Sequence, residues 1–396
     1  MSESASTKIA DTCDGRIRTL IIGAGIAGMT LAALLRQRGE HPLIVERAPN
    51  LDHAGYNIAL YPLGSRVLHG LGLFDRFMDA SVSASHYRLG NGHGEVIHDF
   101  DMSSLLATYG PIRGIRRGEL LEILKSALPD VEVHFGATVT ALENREHSVA
   151  VTFSDGSSGE FDLVVAADGM HSDTRKTILT EKEFTYWDTG WACWVAWAPE
   201  DILPKDTMAE FWGAGRGVGI YPVRGAQGVV LVGPKAAMQK EGRVQFAEHV
   251  RKEFGMMTGP GGAAIEAVVN TADAFFWDLH DCRSTVWSRG RIVLLGDAAA
   301  GFLPTAGVGA SMAMLSAAAL ADELSRADAA HIEYALRLYE QRDRKKVESA
   351  QDNSRQLAKL MMIESTPLAW GRDQLMKFYT LDQALKEIVK IMEGSV

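Results

Sequence analysis

The passage from Ile17 to Glu46 most limits what this chain can fold into. Ile17 to Ile22 is an apolar run that reads as a short strand, and Gly23-Ala24-Gly25-Ile26-Ala27-Gly28 follows it. Ile26 to Arg38 then carries Leu31, Leu34 and Leu35 on one helical face, and Leu43-Ile44-Val45-Glu46 reads as a second strand. A GxGxxG turn inside a βαβ unit of about thirty residues is the context expected of a dinucleotide site. The first glycine permits the tight turn, the second lets the backbone approach a pyrophosphate, and the third lets helix pack on strand. The helix start offers free N–H groups and a positive dipole end to phosphate, worth about 0.3–2 kcal/mol. Glu46 ends the second strand eighteen residues after Gly28. A carboxylate there accepts hydrogen bonds from a ribose diol and repels a 2′-phosphate. The expected tightly bound nucleotide is therefore FAD or NAD, not NADP.

Far along the chain a second stretch asks for a ligand. Arg291 to Leu295 reads as a buried strand, and the segment from Gly296 to Ser311 carries it through Asp297, Pro304, Thr305, Ala306, Gly307, Val308 and Gly309 into an alanine-rich helix at Ala310. A strand ending on an acid, a Pro/Gly loop and a helix N-terminus pointing back suit one end of a long anionic cofactor. Reduced flavin carries negative charge near N1 and the C2 oxygen, which a helix N-terminus stabilises without reorganising. Two distant sites for one ligand point to a flavin dinucleotide. A third element lies between them: the apolar strand Leu163 to Ala167 ends at Asp168-Gly169, and Ser172 or Asp173 caps a short helix after it.

The expected fold class is α/β: a Rossmann-like FAD-binding domain with an inserted antiparallel β-sheet substrate domain and C-terminal helices. Its expected pieces are residues 17–85, 100–182 and 285–350 for the first domain, 86–99 with 183–284 for the insert, and 351–396 for the helical segment. Hairpins are expected around Asn91-Gly92 and Asp155-Gly156. From Phe184 to Val232 the chain turns aromatic, with Trp187, Trp191, Trp194, Trp197, Trp212 and Tyr221 on short strands. Gly213-Ala214-Gly215-Arg216-Gly217 leads into Val218 to Pro222, a strand rather than a helix, so it is not a second dinucleotide turn. Helices are expected over Ala310 to Leu324, Ile332 to Gln351, Ser354 to Met362 and Arg372 to Met392. The last has an amphipathic face of Leu375, Phe378, Leu385 and Ile388, expected to pack on its own chain.

A formal net charge of -10 gives no attraction for nucleic acid or anionic membrane. Cys13, Cys193 and Cys282 show no CxxC or zinc-ligand spacing, so neither a disulfide framework nor a metal site is expected. Met1 to Arg16 is polar and reads as a frayed tail, and no apolar run reaches the roughly 18 residues of a membrane helix. The expected protein is soluble and cytoplasmic, a monomer or homodimer.

With these three elements in this order, the chain resembles the single-component FAD-dependent aromatic monooxygenases, the para-hydroxybenzoate hydroxylase-like family, from about Arg18 to Ala350. Arg117-Gly118-Glu119-Leu120 also matches that family's R-x-x-L setting. The resemblance implies FAD held by Gly23, Gly25, Ile26, Ala27 and Gly28, by Glu46 with Arg47, and by Asp168 and Gly169. It implies Arg117 near the pyrophosphate, Val139 against the adenine, Asp297 on the ribityl chain, and Gly307, Val308, Gly309 and Ala310 at the flavin pyrimidine edge. It further implies NADH or NADPH bound transiently, and an aromatic or polycyclic small molecule hydroxylated with O2 through a flavin C4a-hydroperoxide. The chain departs from the family pattern at Ala300, where histidine is common, at Ser311, where asparagine is common, and at Asn57, where glycine often precedes the isoleucine.

The aromatic insert is the expected substrate wall. Alternation puts Trp191, Cys193, Val195 and Trp197 on one face, with Ala192, Trp194 and Ala196 on the other. Trp194 with small Ala192 beside it is the expected slot for a flat ring. Tyr221, before Pro222, is the expected polar contact, and Pro304 borders the place where oxygen is activated. His280 is an alternative proton relay. Two other readings keep the flavin: an isoprenoid-type double-bond reductase, suggested by Ala298-Ala299-Ala300-Gly301-Phe302, and a non-catalytic flavin-binding protein.

Overall fold

The computed structural model describes residues 16–51, 55–253, 259–272, 274–380, 389–390 and 393. The tail before Arg16, with Cys13, lies outside them, as do Leu385 and Ile388 of the expected amphipathic face. The class is α/β. A six-stranded sheet has the spatial order Ser288–Arg289, Ile292–Leu294, Leu163–Ala166, Thr19–Ile22, Leu43–Glu46, Val133–Phe135. Its neighbours are parallel apart from the Ser288–Arg289 hairpin. The Thr19–Ile22, Leu163–Ala166 and Ile292–Leu294 strands are buried at every position, as strands covered on both faces must be. Winding leaves Thr19–Ile22 first toward Leu43–Glu46 and later returns on its other side at Leu163–Ala166. Sheets of this kind receive ligands outside the carboxyl ends at that reversal.

Glycine chemistry shapes the reversal point. Gly23 has φ +106°, and a side chain there would meet the Ala167 carbonyl oxygen at 2.4 Å. At Gly28 a side chain would lie 2.1 Å from the Gly23 carbonyl oxygen. The two strand ends and the Ile26–Gln37 helix thus approach one another only because these positions are bare.

An eight-stranded sheet has the order Ala300–Gly301, Phe275–Ser284, Phe184–Ala198, Ala226–Pro234, Gly217–Val223, Thr207–Trp212, His86–Asn91, Val96–Asp101. It is antiparallel except where Thr207–Trp212 lies parallel to His86–Asn91. Ala300–Gly301, from the loop after the parallel sheet, forms its edge strand, with Gly301 opposite Cys282 and Ala300 opposite Arg283. One face of the sheet packs Ala192, Trp194, Phe211, Ile220 and Leu231 against Phe246, Val250 and Ile265 of the Lys235–Glu253 and Gly259–Asn270 helices. The Lys235–Glu253 helix is broken at Gly242, where φ is 74°.

Where two helices are expected, at Ile332 to Gln351 and Ser354 to Met362, one helix runs over Ile332–Met361. Asp352 and Asn353 are weak helix formers, yet tertiary anchors flank them and override that preference. The Gln351 side-chain amide donates to the Cys282 and Gly301 carbonyls at 2.8 and 2.7 Å. Arg355 donates to both Asp281 oxygens from Nε and Nη2, at 2.6 and 2.8 Å. The Thr366–Met376 helix docks by Arg372, which donates to the Trp212 carbonyl at 2.7 Å, and by buried Met376. Leu375 and Phe378, expected to pack, are 74% and 83% exposed. Among the described residues no helix is long and apolar enough to cross a membrane.

Candidate active site

A cavity of about 440 Å³ lies between the two large sheets. At one end it meets Gly25, Ile26, Ala27, Gly169, Arg117 and Asp297; at the other it meets Trp191, Cys193, Val195, Tyr87, Glu210 and Tyr221. Nothing lies within 4 Å of a side chain added at Gly25 or at Gly169, so both glycines face open space, unlike Gly23 and Gly28. That is the shape left for a close-lying pyrophosphate. The Ile26–Gln37 and Gly309–Ser325 helices begin at this cavity, and neither has a side-chain cap. Their first N–H groups therefore remain for an anionic ligand.

Glu46 braces the glycine turn. Its carboxylate accepts the Ala24 N–H on Oε2 and the Ala48 N–H on Oε1, each at 2.8 Å. Arg47 points to Asp173 at 3.8 Å, both highly exposed. Val139 begins the Val139–Asn144 strand next to the Glu46 end, where Ala137 N–H donates to the Glu46 carbonyl. Asp168 accepts the Thr174 N–H on Oδ2 at 3.1 Å, while its buried Oδ1 has no protein partner. An unsatisfied buried acceptor beside an open glycine fits a hydroxyl-bearing ligand.

Burial pushes Asp297 up to about 6, with Arg117 and Arg175 pulling the other way. Gly307 turns the loop at φ 65°, Val308 precedes the helix, and Gly309 and Ala310 line the cavity. Pro304 lines it too, and neighbouring Thr305 donates to the Ser354 carbonyl at 2.6 Å. Arg117 lies 6.0 Å over the Tyr56 ring, which tilts against Trp277 at 5.3 Å. The dinucleotide expected from the sequence thus meets an open cradle, an orphaned acceptor and two free helix starts.

The departures each have a local counterpart. Ser311 Oγ accepts the Tyr61 N–H at 3.0 Å and ties the Asn57–Leu60 strand end to the helix start. Asn57 lies over Gly228, where a side chain would come within 2.5 Å of its Oδ1. Ala300 borders a void of about 10 Å³ shared with Trp287, Ser316 and Val347, the size of one water.

The substrate-wall face is the reverse of the expected one. Trp191, Cys193 and Val195 face the cavity, whereas Ala192 and Trp194 turn to the helices, with Trp194 6.0 Å from Phe246 and 5.2 Å from Phe276. Alternation separates two faces but does not say which is inward when both are buried. The small residues at 192 and 196 admit the helix layer instead of a ring. His280 lies 4.9 Å from His171 and 6.2 Å from Tyr186, away from the cavity lining.

Tyr221 does line the cavity, and it brings a residue the sequence reading missed. Its hydroxyl donates to Glu210 Oε1 at 2.8 Å, and Glu210 Oε2 accepts Tyr87 OH at 3.1 Å and Trp212 Nε1 at 3.0 Å. Burial raises the Glu210 carboxyl, while these three donors oppose the shift. The signal is an acid in step with Met208 and Trp212, set among Met208, Ala209, Phe211 and Trp212. Arg175 was missed as well. Buried, it donates to the Met170 carbonyl at 2.5 Å, the Ala298 carbonyl at 2.8 Å and the Asp297 carbonyl at 3.4 Å, and it also meets the Tyr186 hydroxyl. One side chain thereby joins the Asp168-Gly169 turn to the Asp297 loop.

A family model described as FAD binding domain matches residues 16–354. The 3-amino-4-hydroxybenzoate 2-monooxygenase of Streptomyces cremeus is 33% identical over 92% of this chain and 92% of its own. The aurachin C monooxygenase/isomerase of Stigmatella aurantiaca is 29% identical over 93% and 95%. Klebsiella pneumoniae HpxO, solved with FAD and uric acid, superposes with a TM-score of 0.85 at 26% identity, covering 96% of this chain and 98% of that one.

Proposed function

From a chain that belongs to the FAD binding domain family and is similar along its length to flavin-dependent monooxygenases, we infer an enzyme that hydroxylates a largely apolar aromatic or polycyclic small molecule with NAD(P)H and O2. The double-bond reductase and the non-catalytic reading are not favoured, because the named relatives are monooxygenases. The observation that carries the inference is one continuous cavity lined by Gly25, Gly169 and Asp297 and by the aromatic sheet face with Tyr221.

FAD, when bound, supplies electrons taken from NAD(P)H and activates O2 for transfer to an electron-rich carbon. The protein's residues do the rest. With FAD in place, Gly25 would admit the pyrophosphate, Asp168 Oδ1 would accept a hydroxyl hydrogen, and Arg117 would balance the negative charge. The free N–H groups at Gly309 and Ala310 would stabilise negative charge on a flavin held at this helix start. Phe302, Leu303, Val195 and Leu279 exclude water from the reacting region, with Pro304 at its border. Tyr221, oriented by Glu210, orients the ring. The protein works in the cytoplasm as a monomer or homodimer, which light scattering distinguishes.

The test is purified yellow protein assayed for substrate-stimulated NAD(P)H oxidation and O2 uptake, with phenolic and N-heterocyclic compounds under ¹⁸O₂. The expected result is coupled consumption with labelled product. A protein that takes up no FAD, or one that turns over anaerobically to an unlabelled product, overturns the reading.

A further inference from the structure

The proposed hydroxylation leaves the choice of ring open, and a role for Glu210 in making that choice rests on the monooxygenase reading. Of the described side chains that line the cavity, three carry charge: Arg117 and Asp297 at the cofactor end, and Glu210 at the far end. Glu210 stands on the cavity face of the Thr207–Trp212 strand, between Met208 and Trp212. The groups that act on it are its own burial and three hydrogen-bond donors, none of them a cation. The position is built to hold the acid. Gly219 lies opposite Glu210, and a side chain on it would come within 2.6 Å of the Tyr221 ring and hydroxyl. The bare glycine lets that ring lie across it and reach the carboxylate.

The hydrogen inventory fixes what this end offers. A carboxylate has about four acceptor positions. Oε1 uses one for Tyr221, and Oε2 uses two for Tyr87 and Trp212. One position on Oε1 remains. Both tyrosine hydrogens are spent on Glu210, so their oxygens turn only lone pairs to a ligand. Around Glu210 the cavity therefore offers acceptors and negative charge, and no described cation lines that end; Arg372, 5.8 Å over the Trp212 ring, is turned to Asp373 and the Trp212 carbonyl.

We propose that Glu210 sets the substrate class. The ring it selects is neutral or cationic and presents an N–H or O–H donor (an amine, a lactam N–H or a phenol) to Oε1 and the tyrosine oxygens. A ring whose polar group at that end is a carboxylate is rejected, because it brings a second negative charge and no hydrogen.

The test is calorimetric titration of the FAD-loaded protein, without NAD(P)H, with three probes built on the same bicyclic ring: 4-quinolone, N-methyl-4-quinolone and quinoline-4-carboxylate. The expected result is 4-quinolone bound at least tenfold more tightly than either other probe. Glu210→Gln, close to isosteric, narrows the advantage over the carboxylate at least fivefold, and Glu210→Arg reverses it. Flavin content, read from absorbance, stays at the wild-type level in both variants. Wild-type protein that binds the carboxylate equally or better, or Glu210→Gln with an unchanged ratio, overturns the proposal. Loss of FAD binding or of labelled product overturns the monooxygenase reading instead. The two failures are told apart because the binding ratio is measured without turnover.

Discussion

At the scale of single residues, Asp297 and Tyr221 carry opposite kinds of information. The Asp297 carboxyl is raised from 3.8 to about 6 by burial. In the FAD-free protein the folded state therefore holds a proton between those values that the unfolded state has released. Stability falls as pH rises through that window, and the whole cost is present above about pH 6. The shift corresponds to on the order of 3 kcal/mol. Asp297→Asn is expected to melt higher than wild type at pH 7.5 without FAD, with the difference shrinking toward pH 4. Melting curves of the two proteins across that range check this, and a constant difference refutes it. Tyr221→Phe removes one donor from Glu210 and leaves the cofactor end untouched. Its hydroxylation rate is expected to fall about tenfold or more with FAD affinity unchanged, as read by turnover and by flavin fluorescence titration.

At the scale of elements, the glycine turn separates binding from folding. A methyl at Gly25 enters open space, whereas one at Gly28 meets the Gly23 carbonyl oxygen at 2.1 Å. Gly25→Ala is expected to leave the FAD-free melting temperature within the small range of a neutral change, about 0.5 kcal/mol, and to weaken FAD binding at least tenfold. Gly28→Ala is expected to cost about 1–3 kcal/mol with or without the ligand. Arg175→Met leaves three carbonyls without their donor and is expected to destabilise by about 3 kcal/mol in urea titration. The turn was legible because strand, spacing and glycine pattern are local. Trp194 and Ala192 were placed on the wrong side because facing is decided by the Lys235–Glu253 and Gly259–Asn270 helices, which come later in the sequence. The acid at Glu210 stands out in its strand, but its role and that of Arg175 are not legible for a related reason: the partners Tyr87, Tyr221 and Ala298 lie on other elements, and no spacing announces them.

At the scale of the whole molecule, the sheets are fastened to each other by hydrogen bonds. The loop that carries Asp297 gives the second sheet its Ala300–Gly301 edge strand, and the Ile332–Met361 helix grips Cys282, Gly301 and Asp281 through Gln351 and Arg355. The discontinuous chain is therefore expected to unfold in one cooperative transition, with circular dichroism and tryptophan fluorescence giving coincident curves. Two separated transitions contradict it. The shared edge strand also has a mechanical consequence. A floor stitched into its own wall cannot swing, so Asp297 and the helix start behind it keep their spacing while ligands come and go. Traffic into the chamber has to be admitted by its rim, and amide exchange at Cys282, paired to Tyr186 on one side and covered by Gly301 on the other, is expected to be among the slowest of the described residues.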